Sequence, residues 1–162
     1  MDKALWASDY ALATKVRKAG LPLGGQGVKV LRWKYTAKDE STVPLLVTCW
    51  PDPTGDGTSS VSVEYTFNGD AWPGLALYNV AIHIPLPPGA GAPAAEATEG
   101  SVGVQGNALV WAIPEVSAAS PSNSLEFTVR GEDIDTFFPV SVAFEASAPL
   151  CGLTVDLAEA ED

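Results

Sequence analysis

His83 is the sole histidine among 162 residues, so a Ser-His-Asp or Cys-His nucleophilic site would have to use it. It stands between Ile82 and Ile84 with Pro85 next. In that strand-like setting a structural histidine, facing solvent or capping a loop, is expected before a base. No Gly-x-Ser-x-Gly, glycine-rich phosphate loop or His-Glu-x-x-His accompanies it. The carboxylates Asp52, Asp56, Asp70, Glu132, Asp133 and Asp135 fall in loop-like stretches, where such groups could bind calcium. Neither Asp52-x-x-x-Asp56 nor Asp133-x-Asp135 has the EF-hand spacing or its closing glutamate, and a solvated acidic surface accounts for them about as well. A glycosidase pair would need two acids on opposite walls of a cleft, which is a matter of tertiary structure. Cys49 and Cys151 match neither a zinc spacing nor Cys-x-x-Cys. A disulfide is open in principle, but cysteines in strands are expected as small buried hydrophobes with free thiols. These residues predict no enzyme, no cofactor and no metal.

Aromatic residues offer binding chemistry instead. Trp33, Trp50 and Trp111 lie in strand-like segments and are expected in the core. Trp6 and Trp72 lie in arm and loop contexts, where an exposed ring could stack on sugars or bind apolar peptides. Strand and loop context single out Tyr65, Trp72 and His83 as candidate peptide contacts.

The elements that must position them read as strands. Residues 28–35 place a large apolar residue at every second position, a polar turn follows, and residues 43–50 run almost wholly apolar up to Pro51. This predicts a β-hairpin ending at that proline. Residues 60–67 alternate cleanly, with Val61, Val63, Tyr65 and Phe67 on one face. Residues 75–84 predict a strand with Leu77, Asn79, Ala81 and His83 on one side and Tyr78, Val80, Ile82 and Ile84 on the other. Residues 87–107, rich in Pro, Gly and Ala, read as a long surface loop with one short strand near 101–105. Further strands are expected over 108–114, 125–129, 138–144 and 150–157, ahead of a charged tail. Seven to nine strands with turn signals between them predict an all-β, antiparallel β-sandwich. Residues 1–27 combine a partial helical spacing with a glycine-rich end, and periodicity leaves helix and extended arm both open.

The length suits one domain with its own core, and 46% hydrophobic with 18% charged residues argues against global disorder. No apolar run is long enough to span a bilayer, and the N-terminus lacks a signal-peptide pattern, which predicts a cytosolic protein. Charge is uneven: eight of the nine basic residues precede residue 39, giving that segment +6 and the remainder −17. A basic arm on an acidic body would suit an anionic partner, while lysines that guard an edge strand are the plainer reading. A pI near 4.3 and one short basic segment do not suit nucleic acid.

A set of short motifs, kept in order, resembles one family. They are Gly27-Val28-x-Val30-Leu31-Arg32-Trp33-Lys34-Tyr35, Asp39-Glu40-Ser41-x-x-Pro44-Leu45, Thr48-Cys49-Trp50-Pro51 and Val63-Glu64-Tyr65. Ile84-Pro85-Leu86-Pro87, Leu109-x-Trp111, Ser124-Leu125-Glu126-Phe127 and Phe137-Phe138-Pro139-Val140 follow. Together they resemble the C-terminal mu-homology domain of coatomer delta subunits, of the COPI vesicle coat. The resemblance implies an all-β fold of two subdomains, the second inserted into the first. It makes residues 1–27 an extended arm left from the first subdomain, 28–157 the β-sandwich and 158–162 an acidic tail. The function it implies is a non-enzymatic coat adaptor in Golgi-to-ER retrograde and intra-Golgi transport. The implied partners are other coatomer subunits and tryptophan-based motifs of tethers or Arf-GTPase-activating proteins. The implied location is cytoplasmic, peripheral on Golgi membranes and COPI vesicles, with membrane contact only through the coat. The family's longin-like domain and its returning C-terminal strands have no counterpart within these residues, so assembly through those parts is not expected of them. A carbohydrate-binding β-sandwich with exposed tryptophans is the alternative, and a hydrolase dependent on His83 a third.

Overall fold

Alternation of small polar and large apolar side chains makes residues 58–67 a central strand in the computed structural model, which describes Thr36 and residues 39–150. In chain order the strands are β1 (Leu45–Pro53), β2 (Thr58–Phe67), β3 (Leu77–Pro85), β4 (Ala94–Ala97) and β5 (Ser101–Gln105). They continue as β6 (Ala108–Val116), β7 (Ser122–Arg130) and β8 (Ser141–Ala146). Two 3-10 turns, Glu40–Thr42 and Ile134–Phe137, begin at Asp39 and Asp133, whose carboxylates accept from the amides of Ser41 and Asp135. The chain divides into two units, Met1–Thr36 and Ala37–Asp162, and all of these elements belong to the second. No helix among the described residues is long and apolar enough to cross a membrane.

The strands form two four-stranded sheets, ordered β1-β2-β7-β4 and β5-β6-β3-β8, with every pairing antiparallel. This is the β-sandwich that the strand pattern predicts. Period two turns Val61, Val63, Tyr65, Phe67, Leu125, Phe127 and Val129 of the first sheet inward. Val80, Ile82, Ile84, Leu109, Trp111 and Ile113 of the second sheet meet them. Tyr65 and Trp111 stack at 5.4 Å between ring centroids, and Phe127 meets Phe137 at 6.3 Å.

One side of the sandwich is closed by a chain that changes sheets. β4 pairs with β7 in the first sheet, and β5 pairs with β6 in the second after only three intervening residues. Gly100 makes the turn at φ 83°, with no room for a side chain between it and the Ala112 carbonyl. Beside it the Trp111 indole N–H donates to the Glu99 carbonyl at 2.7 Å. The Glu99 carboxylate accepts from Ser120 Oγ at 2.9 Å and Asn123 Nδ2 at 2.7 Å, and Asn123 also donates to the Tyr65 hydroxyl at 2.8 Å. The polar atoms at this end of the core are thereby paired, as burial requires.

Several sequence expectations change. Trp50 is 51% exposed instead of core, because pairing opposite Ser62 turns its side chain away from the partner sheet. β1 passes through Pro51 and ends at Pro53. Thr54 N–H donates to the Thr58 carbonyl, so alternation along the pair aims the amide positions of residues 51 and 53 away from β2, where a missing donor breaks nothing. Leu77 is buried on the same side as Val80, Ile82 and Ile84, since a register shift between Tyr78 and Ala81, with Asn79 at φ 51°, flips the phase. The 87–107 stretch holds β4 as well as the expected β5; four largely exposed residues, Ala-Ala-Glu-Ala, carry no alternating signal. The last described strand starts at Ser141 instead of Phe138, because the 3-10 turn Ile134–Phe137 takes Phe138 as its C-terminal cap. The first arm of the opening hairpin, the arm 1–27, Trp6, Trp33, Cys151, the strand expected over 150–157 beyond Leu150 and the acidic tail lie outside the described residues.

Candidate functional site

Among the described residues an apolar hollow opens on the sandwich surface at each end of β3. The larger, about 330 Å³, forms where β3 runs out. Pro85 ends the ladder, and the Leu86 N–H donates to the Asn107 carbonyl at 2.8 Å, tying the exit loop to the β5–β6 hairpin. That hairpin turns on two residues, with Gly106 first at φ 62°, the position at which primed turns demand a glycine. The exit loop folds back on itself through Ala90 N–H to the Pro87 carbonyl, helped by Gly89 and Gly91 at positive φ. Leu86 and Ala90 are buried, Val104 stands on the rim at 47% exposure, and Asn107 is the only lining residue with a polar side chain. No acid, base or nucleophile lines this hollow, so what it offers is desolvation of an apolar group plus loop carbonyls and one amide for hydrogen bonds.

The smaller hollow, about 170 Å³, forms where β3 begins, between the 71–75 turn and Ala148-Pro149. Ser147 holds the two sides together, donating its N–H to the Ala76 carbonyl at 2.9 Å while its Oγ accepts from the Ala76 N–H. Trp72 is half-buried here, and its indole N–H is buried with no hydrogen-bond partner. An unpaired buried donor carries a desolvation cost that a bound acceptor would relieve.

The three residues singled out in the sequence do not converge. Tyr65 is fully buried on the inward face of β2, its hydroxyl bound by Asn123, so its role is in the core and no surface ligand reaches it. Trp72 borders the smaller hollow. His83 is half-buried on the outward face of β3, with Ser141 and Val110 as cross-strand partners and no carboxylate opposite. Val104 and Leu86 were not singled out in the sequence, since Val104 reads only as part of the short strand near 101–105 and Leu86 as one residue of a proline-rich strand end. The pairing of Pro87-Pro88-Gly89 with the Gly106-Asn107 turn is the signal that could have found them.

Three of the acids singled out in the sequence, Asp56, Glu132 and Asp133, hold loops in place, while Asp52 lies in β1. Asp56 accepts from the Thr54 and Thr58 hydroxyls, both at 2.6 Å, which hold its carboxyl below the usual range, and Glu132 accepts from the Gly57 N–H at 2.9 Å. Among the described residues no three His, Cys, Asp or Glu side chains gather as a metal site. Cys49 is half-buried in β1, and burial pushes its thiol up to about 11.

Residues 21–162 match the model of the adaptor complexes medium subunit family. The chain is 39% identical over 134 residues to the coatomer subunit delta of Arabidopsis thaliana, covering 82% of this chain and 24% of that protein. Against the coatomer subunit delta of Dictyostelium discoideum it is 34% identical over 164 residues, covering 100% of this chain and 28% of the relative. The chain thus spans about a quarter of the length of these relatives. Among solved structures it is similar to the yeast delta-COP-I mu-homology domain complexed with a Dsl1 WxWxV peptide. That match has a TM-score of 0.52 and 22% identity, covering 65% of this chain and 41% of that one.

Proposed function

For a chain that belongs to the adaptor complexes medium subunit family, we propose the role of a non-enzymatic COPI coat-adaptor module that captures tryptophan-based motifs in partner peptides. The observation that carries this reading is the 330 Å³ apolar hollow beside Val104 on a mu-homology-type sandwich. Two buried indoles at about 2 kcal/mol each contribute about 4 kcal/mol, roughly half of the ~8 kcal/mol that micromolar affinity requires, so backbone hydrogen bonds and the flanking residues of the motif supply the rest. β3 has nine residues at about 3.3 Å each, which sets the two hollows roughly 30 Å apart. Two tryptophans separated by one residue span only about 7 Å in an extended chain. A Trp-x-Trp motif therefore engages one hollow and its rim, and size favours the one beside Val104. Trp72 remains with this reading as the border of a secondary contact, and His83 stands outside it.

In this reading residues 28–157 are the binding body, 1–27 an arm from a preceding subdomain and 158–162 a tail. Partners are the other coat subunits and motif-bearing proteins such as tethers and Arf-GTPase-activating proteins, met in the cytoplasm at Golgi membranes. The test is calorimetric titration of the 162-residue chain, with its β structure established by circular dichroism, against a Trp-x-Trp peptide and an Ala-x-Ala control. Micromolar heat that disappears with the control supports the module. A folded chain that takes up neither peptide overturns it.

A further inference from the structure

We infer that the outward face of the β1-β2-β7-β4 sheet is a separate docking surface, anchored by Trp50, for an extended cationic segment of a partner protein. Its core is one row across the sheet. Trp50 pairs with Ser62, Ser62 with Glu126, and Glu126 with Glu96. Trp50, Glu126 and Glu96 are exposed, and the small Ser62 between them leaves the indole face open. The flanking rows add Glu64 and Asp52, both exposed, among serines and threonines. Among the described residues the nearest cation on this face is Arg130, which pairs with Thr58 two rows away.

Two features are costly unless something binds. A large aromatic side chain sits in water on a strand whose other outward residues are Thr48, Asp52 and the half-buried Leu46. Glu96 and Glu126 are direct cross-strand partners, a placement in which like charges repel. A cationic peptide answers both: a guanidinium or ammonium stacks on the indole, and a second cation relieves the carboxylate pair. Strand spacing of about 4.8 Å puts Glu126 roughly 10 Å and Glu96 roughly 14 Å from Trp50. An extended peptide crossing the strands covers that in three to four residues. The preferred ligand therefore carries one arginine or lysine and another three or four positions on. The net charge of −17 on residues 39–162 attracts such a segment over distance and turns away anionic lipid or nucleic acid.

The probe is a capped Arg-Ser-Ser-Arg-Ser-Arg peptide, with its all-glutamine analogue as control, titrated calorimetrically into the 162-residue chain at low and at physiological ionic strength. Binding should require the arginines and weaken with salt. Trp50→Ala should weaken it about three- to fivefold, and Trp50→Phe should recover part of that loss. Glu96→Gln with Glu126→Gln should weaken it by about three- to tenfold and flatten the salt dependence. Glu115→Gln, on β6 of the other sheet, should leave it unchanged. No binding at low salt, or equal loss from Glu115→Gln, refutes the surface. Sedimentation in which Trp50→Ala abolishes self-association instead assigns the face to a second copy and overturns the peptide reading. Retained binding of the Trp-x-Trp peptide by Trp50→Ala keeps this outcome distinct from the fate of the Val104 hollow.

Discussion

Gly100→Ala tests the point on which the sandwich closes. Gly100 lies at φ 83°, a conformation that costs an L-residue about 1 kcal/mol or more. The added methyl would also press on the Ala112 carbonyl oxygen, the ladder partner region of β5, and lie 3.3 Å from Trp111 Nε1. Relief of that clash has to move the 98–101 turn, which stretches the 2.7 Å bond from the Trp111 indole to the Glu99 carbonyl. Loss of a buried hydrogen bond of this kind costs about 1–3 kcal/mol. The expected total is about 3 kcal/mol. With a urea m-value of about 2 kcal/mol/M, the midpoint falls by about 1.5 M at unchanged slope. Gly103→Ala is the control: three residues on, the same methyl meets nothing within 4 Å and the residue has no positive φ. It should shift stability by no more than about 0.5 kcal/mol. Urea unfolding followed by far-ultraviolet circular dichroism reads both variants. Equal midpoints for the two, or a loss below about 0.5 kcal/mol for Gly100→Ala, refute the argument that this turn admits only glycine.

Val104→Asp places a carboxylate on the rim of the larger hollow at a residue 47% exposed, so the unfolding free energy from urea titration should stay within about 0.5 kcal/mol of wild type while Trp-x-Trp affinity drops at least about tenfold. Calorimetry on the refolded variant checks it, and undiminished affinity moves the peptide elsewhere. Cys49 should resist iodoacetamide at pH 8 in the folded chain and react readily in urea, read by site-resolved mass spectrometry. Because burial raises its folded value to about 11 from 9.0, its contribution to stability is intact below pH 9 and lost as pH rises toward 11. The melting temperature of wild type should therefore fall more than that of Cys49→Ala across that window.

The strands were legible wherever one face is buried and the other wet, as in β2 and β7, because period two then records burial directly. Legibility failed at three kinds of place, each for its own reason. Trp50 sits in a run apolar enough to read as doubly buried, but β1 is an edge of its sheet among the described residues, and only its inward residues Leu45, Val47 and Cys49 pack on the core. Leu77 broke phase because one residue, Asn79, adopts a left-handed backbone, and a single such residue inverts every face assignment before it. β4 offers the core only Ala97 and is otherwise exposed, so its pairing with β7 leaves no side-chain pattern to read.

The site was harder for a different reason. A catalytic centre advertises itself by rare, titratable residues, so His83 and Tyr65 drew attention and neither lines a hollow. The peptide pocket proposed above is made of common ones: Leu86, Ala90 and Val104 share a hollow only because the β3 exit loop returns to the Gly106 turn through the Leu86–Asn107 hydrogen bond. Those residues are nearly twenty positions apart in the chain, and no local spacing rule joins them. The same reasoning separates the two surfaces argued above. The Val104 hollow selects by desolvation, which salt leaves largely alone, whereas the Trp50 face selects by charge, which salt screens within about 8–10 Å. Ionic strength alone should therefore dissect them: raising it should preserve Trp-x-Trp binding while removing the cationic peptide, and a common salt response would mean one surface serves both ligands.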